Sequence, residues 1–600
     1  MFQKFSDATG GRAHAARLSA LRGWMAREGI DAVLVPRADA HQGEYVAPSD
    51  ARLAWLTGFT GSAGFAVVTA TRAGVFIDGR YRVQVRRQID LTLFAPVPWP
   101  DTRPGPWLAD ARPNGGRIGF DPWLHTRSEV EALDRAVADH GLALIPLAQN
   151  PIDAIWTDRP PPPQGPARVH PAEAAGETAE AKRLRLAALL RREGQAAVLL
   201  TLPDSISWLL NIRGSDIPCN PVVQSFAVLS DEGQVSLFAD AAKFDPSVRA
   251  HLGDAVAILP PNSLLAALGD LEGPVRLDPA TAPEAAFLRL EEAGTDIVRA
   301  PDPCVMPKAR KNAAELAGMQ AAHLRDGVAM VRLLAWLDRS DPLELTEISV
   351  VTRLEALRRD QGILDISFDT ICGAGPNGAI VHYRVTEATD RRLSRDQILL
   401  IDSGGQYRDG TTDITRTVSL GAAPDTAIGP FTAVLRGMIA LSRARFPEGV
   451  AGAHLDALAR QFLWQQGLDF DHGTGHGVGA ALCVHEGPAR ISRASDIALA
   501  PGMILSNEPG YYREEQFGIR IENLVHVTEA EAEAGRRMLG FQTLTLCPID
   551  RRLIEVRALS ADERAWLDRY HAEVRTALTP HLDARDAAWL EQATAPLGAP

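Results

Sequence analysis

Between Ile398 and Glu522 lie five ligand-type side chains that any fold of this chain has to bring to one place. They are Asp402 in LLIDSGGQY, Asp413 in GTTDITRTV, His476 in HGTGHGVG, Glu508 in LSNEPGYY and Glu522 in GIRIENLVHV. Their contexts read as strands and a glycine-rich loop. Four carboxylates and one imidazole are too rich in oxygen and too poor in sulfur for a structural zinc site. Such ligands suit hard or borderline divalent ions, manganese first, then cobalt or zinc. Charge points to two ions: the carboxylates carry about −4 and two divalent cations about +4, so a hydroxide held between the ions leaves a centre that can be buried.

Spacing predicts how these side chains converge. Successive strand residues face opposite sides, so Arg520 and Glu522 share one face and Ile519 and Ile521 the other, with the charged pair toward the site. Gly404–Gly405 and an Asp409–Gly410 turn let the chain reverse between Asp402 and Asp413. His472 and His476 stand at helical spacing, but Gly473, Gly475 and Gly477 argue for a loop that approaches the metals closely.

A chain of 600 residues exceeds what one core organises. The run Pro160 to Pro163 can enter neither a ladder nor a helix interior and predicts an extended connector. The pattern restarts after it. Trp55-Leu56 before Gly61-Ser62 is repeated as Trp208-Leu209 before Gly214-Ser215, Phe65-Ala66-Val67 as Phe226-Ala227-Val228, and Val75 to Asp78 as Ser236 to Asp240. The expected fold class is therefore α/β (α+β): two related N-terminal α/β domains, at 1–160 and 161–305. A pseudo-twofold catalytic domain at 306–540 and a C-terminal extension at 541–600 follow. Neither N-terminal copy carries a cluster of His, Asp and Glu.

In the third domain, Leu316, Met319, Leu324, Val328, Val331 and Ala335 give one apolar helical face. A second helix follows from Thr346, then strands near Phe368–Ile371, at Ile380–Tyr383, and at ILLID and DITRTVSL. Helices at Phe431–Arg445 and Gly452–Gln466 precede the histidine loop and the strands near Glu508 and Glu522. Beyond Phe541 come a short strand and one amphipathic helix, ALSADERAWLDRYHAEVRTAL.

A formal charge of −13 argues against a nucleic-acid partner, because phosphate binding needs a basic surface. Cys219, Cys304, Cys372, Cys483 and Cys547 lack CxxC spacing, which fits a reducing compartment. With no signal-peptide core and no run of roughly 18 apolar residues, the expectation is a cytoplasmic protein without a membrane partner.

The motifs DSGGQYRDGTTDITRT, HGTGHGVG…VHEGP, SNEPGYY and FGIRIEN closely resemble those of the aminopeptidase P family, Xaa-Pro aminopeptidases of the pita-bread fold. DAHQGEYVAPSDARLAWLTGFTGSAG, FIDGRY and FQTLTLCPID are similar to the long, three-domain cytosolic form. The resemblance implies Asp402 on one metal, His476 and Glu508 on the other, and Asp413 and Glu522 bridging both, with two divalent ions per subunit. It implies Glu508 as the proton shuttle and His382 and His485 as contacts to substrate and oxyanion. His472 and Arg520 match positions lining the pocket of the residue after the scissile bond. Tyr512 is expected as pocket wall, with Tyr511 beside it as the alternative. Substrates would be peptides with penultimate proline, and the N-terminal domains would form a homodimer interface. A prolidase shares the site but has one N-terminal domain and cleaves dipeptides. A pita-bread protein-binding module that has lost its metals would lack the five ligands.

Overall fold

In the computed structural model, which describes residues 1–6, 13–532 and 535–598, the chain forms two compact units. One is Ala8–Val305; the other joins Met1–Asp7 to Met306–Pro600. Of the stretch 1–160, the first six residues are thus the exception, since Phe2 N donates to Glu355 Oε1 at 2.8 Å and Gln3 N to Glu355 Oε2 at 3.3 Å.

The unit Ala8–Val305 holds two six-stranded mixed sheets. The first uses Ala32–Pro36, Phe65–Thr69, Ala73–Ile77, Ala95–Pro98, Gly116–Phe120 and Leu142–Pro146; the second uses Ala197–Leu200, Phe226–Ser230, Val235–Phe238, Val256–Leu259, Val275–Leu277 and Ile297–Arg299. Numbered within each sheet, both have the spatial order 4-3-2-1-5-6. Both also share one pattern, with pairs 1–2 and 2–3 antiparallel and pairs 3–4, 1–5 and 5–6 parallel. The repeated sequence signals mark equivalent places. Trp55 and Trp208 lie in short helices, Arg52–Thr57 and Pro203–Leu209, ahead of the second strand. Asp78 and Asp240 each follow the third strand and cap a short 3-10 helix, accepting from Arg80 N and Ala242 N. Residues 159–167, the proline run included, form neither helix nor strand.

The unit that contains Met306–Pro600 repeats a helix pair followed by strands. Helices Ala313–Arg339 and Glu347–Asp360 open the first half, the former started by a capping box between Asn312 and Glu315. Met319, Val328, Val331 and Ala335 of the expected face are buried, and Leu316 and Leu324 are partly so. Strand Ile398–Ser403 then lies between Ile371–Ala374 and Ile414–Ser419, antiparallel to both. The second half has helices Asp425–Ser442 and Gly452–Trp464, then a sheet ordered Arg445–Pro447, Met538–Thr543, Asn523–Ala530, Ile504–Asn507.

Three expectations change. The segment expected as strand Ile380–Tyr383 is a turn, because Gly375, at φ 51°, and Pro376 start a 3-10 helix over Gly375–Ala379 that breaks the apolar run. The helix expected from Phe431 starts at Asp425 and contains Pro430, which forfeits one helical hydrogen bond. The extension carries two helices rather than one. Ala561–Leu578 is set by the Ser560–Glu563 capping box, and Ala584–Ala593 is capped by Asp583. Ile519 and Ile521 are fully buried in one core with Leu567, Tyr570, Val574 and Leu578 of that extension.

Candidate metal centre

Strand pairing builds the site. Asp402 stands opposite Thr415, and the last paired residues are Ser403 and Ile414. Asp413 lies one step beyond, two residues before Thr415, so Asp402, Asp413, Thr415 and Thr417 project from one face. The next layer adds Glu522, whose backbone N–H donates to Thr415 O at 3.1 Å. Glu522 and Glu508 sit just past strands Phe517–Arg520 and Ile504–Asn507, where the chain leaves its ladder. His476 enters on the two-residue strand Gly475–His476, paired with Arg490–Ile491.

The glycines around His476 also meet neighbouring backbone closely. A Cβ on Gly475 would lie 1.9 Å from Ser506 O, and one on Gly477 2.1 Å from Glu486 O. At these two positions the absent side chain lets backbone pack on backbone.

Among the described residues, Asp413, His476 and Glu522 each offer a ligand atom within 4.8 Å of the others. His476 Nε2 is 3.5 Å from Asp413 Oδ2 and 3.5 Å from Glu508 Oε1. Asp402 is held by Arg520, whose Nη2 donates to Oδ2 at 2.6 Å. Asp402 Oδ1 and Glu522 Oε1 are buried with no hydrogen-bond partner. Burial, then the charge of Asp402, pushes the Asp413 carboxyl well above the usual carboxylate range, with His485 and Arg520 opposing. Burial, then Asp413, Glu508 and Asp402, does the same to Glu522. Burial also raises Glu508 against the pull of His476 and Arg520. Orphaned, mutually repelling oxygens beside an imidazole are what divalent cations would satisfy, so the residues fit the ions.

A second chain of contacts runs outward. Arg520 Nη1 donates to Tyr512 Oη at 2.5 Å, and that hydroxyl lies 2.8 Å from His472 Nε2. Tyr511 instead packs its ring on Phe517, at 6.4 Å between centroids. His485 stacks edge-on to His476, centroids 4.1 Å apart. The next residue, Glu486, is clamped by Lys311 Nζ at 2.5 Å and Lys308 Nζ at 3.3 Å. His382 lies in the turn after Val381, whose carbonyl is 3.4 Å from Arg520 Nη2.

Several supports escaped the sequence reading. Thr415 Oγ1 donates to Glu522 Oε2 at 2.8 Å, and Ser506 Oγ donates to Glu508 Oε1 at 3.1 Å while accepting from His476 N at 2.9 Å. Thr415 follows Asp413 by two and Ser506 precedes Glu508 by two, each ligand lying just outside the strand that carries its neighbour, a signal that alternation carried. No such signal marks Arg460 on helix Gly452–Trp464. It donates to the carbonyls of Phe470 and His472, both at 2.7 Å, and pairs with Asp456, which accepts from Thr474 Oγ1 at 2.6 Å. That network holds the histidine loop.

Family models match four successive stretches of the chain. Residues 317–529 match the model of metallopeptidase family M24, and 537–597 match the C-terminal region of peptidase M24. Residues 17–155 and 158–315 each match a creatinase/prolidase N-terminal domain. A probable Xaa-Pro aminopeptidase P of Aspergillus fumigatus is 39% identical, over 97% of this chain and 92% of that protein. Aminopeptidase P2 of Arabidopsis thaliana is 40% identical, over 95% and 87%. The crystal structure of an X-prolyl aminopeptidase from Caenorhabditis elegans, described as a cytosolic enzyme with a di-nuclear active site, superposes with a TM-score of 0.93 at 35% identity, covering 98% of this chain and 100% of that one.

Proposed function

We propose that this chain, which belongs to metallopeptidase family M24, is an Xaa-Pro aminopeptidase that releases the first residue of peptides with proline second. The observation that carries this reading is the cluster of Asp413, His476 and Glu522, with Glu508 3.5 Å from His476 and buried oxygens left unpartnered on Asp402 and Glu522. Asp402 would hold one ion, His476 and Glu508 the other, and Asp413 and Glu522 both. When bound, two divalent ions supply a water whose pKa is brought toward neutrality and a Lewis-acid anchor for substrate.

The remaining roles belong to this chain's own residues. Glu508, steadied by Ser506, takes a proton from the attacking water and returns it to the leaving nitrogen. His485 and His382 donate to the carbonyl oxygen as it gains negative charge. Arg520 fixes the Asp402 carboxylate and aligns Tyr512, which with His472 walls the pocket for the proline ring. The free amine beside the acidic cluster fixes where the first carbonyl lies, so one residue leaves per turnover. A bond to proline nitrogen has no N–H to offer. Histidine donors to the carbonyl oxygen do not require one.

Within the same reading, the oxygen-rich ligand set favours manganese over cobalt or zinc. The protein works in the cytoplasm as a homodimer, and its chain divides near 160, 305 and 540. A peptide panel tests the activity. Arg-Pro-Pro should be cleaved fast, and Arg-Ala-Pro and the dipeptide Arg-Pro slowly. Cleavage of Arg-Pro alone would point to a prolidase. Equal cleavage of Arg-Ala-Pro would remove the proline preference. No cleavage with any added metal would favour a binding module.

A further inference from the structure

Strand Ile414–Ser419 carries Thr415 and Thr417 on the metal face, so Arg416 points the other way, into the C-terminal extension. Arg416 is 1% exposed, and the acceptors of its guanidinium are carbonyl, amide and hydroxyl oxygens. It donates to Pro548 O at 3.0 Å, Cys547 O at 2.8 Å, Thr415 O at 2.9 Å, Glu522 O at 2.6 Å, Asn523 Oδ1 at 2.8 Å and Tyr570 Oη at 2.9 Å. A buried guanidinium left short of acceptors is costly; here six acceptors surround its five N–H groups, three of them sharing the two hydrogens of Nη2. Its position is therefore dictated jointly by the extension and by the peptide at Glu522.

Glu522 needs such a clamp. It stands in a two-residue gap between strands Phe517–Arg520 and Asn523–Ala530, where no ladder fixes its peptide. Its carbonyl is held by Arg416, its N–H by Thr415 O and one carboxylate oxygen by Thr415 Oγ1. Tyr570, on helix Ala561–Leu578, closes the far side. Its hydroxyl lies 2.9 Å from Cys547 O and 3.1 Å from Thr545 O, and Cys547 N donates to it at 3.3 Å.

We propose that Arg416 and Tyr570 are positioning residues through which the C-terminal extension sets the divalent-metal affinity of the site, by fixing the Glu522 carboxylate. The inference rests on the reading of Glu522 as a ligand, and the test separates the two.

Metal-free protein is titrated with Mn²⁺ by calorimetry and its melting followed in parallel, for wild type, Tyr570→Phe, Arg416→Lys and Val574→Ala. Val574 packs in the same extension but touches neither Arg416 nor Glu522 through a hydrogen bond, so Val574→Ala reports loss of packing alone. Tyr570→Phe should stay folded and bind its weaker ion roughly 10–100-fold less tightly, the range typical of residues that orient ligands. Arg416→Lys should lose at least as much. Val574→Ala should melt lower with its affinities unchanged. Wild-type affinity in Tyr570→Phe, or equal weakening in Val574→Ala, would overturn the positioning role. A wild-type protein that takes up no second ion would overturn the ligand reading and the inference with it.

Discussion

In the unit Ala8–Val305 several buried charges are met by their opposites. Asp216 accepts from Lys243 Nζ at 2.8 Å and from the backbone N–H of Gly165 and Gln224. Arg127 pairs with Glu284 at 2.6 Å across the two sheet domains, and Arg52 with Asp153 at 2.7 Å. At the metal centre Asp402, Asp413, Glu508 and Glu522 gather beside His476, Arg520 hydrogen-bonds Asp402, and Asp402 Oδ1 and Glu522 Oε1 are buried without a partner. Such a cluster costs stability unless cations or protons neutralise it. The contrast separates scaffold from site: the paired charges fix geometry, and the unpaired carboxylates mark where cations belong.

The comparison breaks most visibly at Asp413. Asp413→Asn should lose at least one bound ion and nearly all activity. In metal-free protein at pH 8 the same change should raise the melting temperature, because it removes a carboxylate that burial and Asp402 disfavour. Two bound ions with near-normal turnover would show that Asp413 is no ligand. His485→Ala should keep both ions and lower kcat by roughly 10²–10³, the usual worth of an oxyanion donor. Loss of metal in that variant would make His485 a ligand instead. On the satisfied side, Lys243→Met strands Asp216 without its cation and should cost about 3–5 kcal/mol by chemical denaturation, with kcat per folded molecule unchanged.

The smallest effect is pH-linked. The neutral imidazole of His571 accepts from Ile549 N at 3.1 Å, and burial, helped by Arg416, lowers its pKa to about 3. A folded pKa below the unfolded value gives stability that is complete above about pH 6.5 and is lost as pH falls toward 3. His571→Gln should therefore lose less melting temperature than wild type between pH 7 and pH 4. An identical loss in both would contradict the assignment.

What the sequence made legible was local. Alternation placed Arg520 and Glu522 opposite Ile519 and Ile521, and the structure buries that apolar pair against the extension. The repeated Trp-Leu, Phe-Ala-Val and terminal Asp signals identified two copies that share one strand order. The hidden part depended on distance along the chain. Nothing near Arg416 announces Cys547 or Tyr570 as its acceptors, and nothing near Arg460 announces the carbonyl of His472. The turn at Ile380–Tyr383 was hidden for another reason. Its apolar residues read as strand, while the breaking signal, Gly375-Pro376, lies before them.

Counting ions per chain by native mass spectrometry, on metal-free protein exposed to Mn²⁺ and melted in parallel, puts the unsatisfied carboxylates to the most direct test. Two ions per chain and a higher melting temperature with metal are expected, since a ligand that binds only the folded state stabilises it. A chain that binds no ion and melts at the same temperature with and without Mn²⁺ would contradict the reading of this cluster as a two-metal centre.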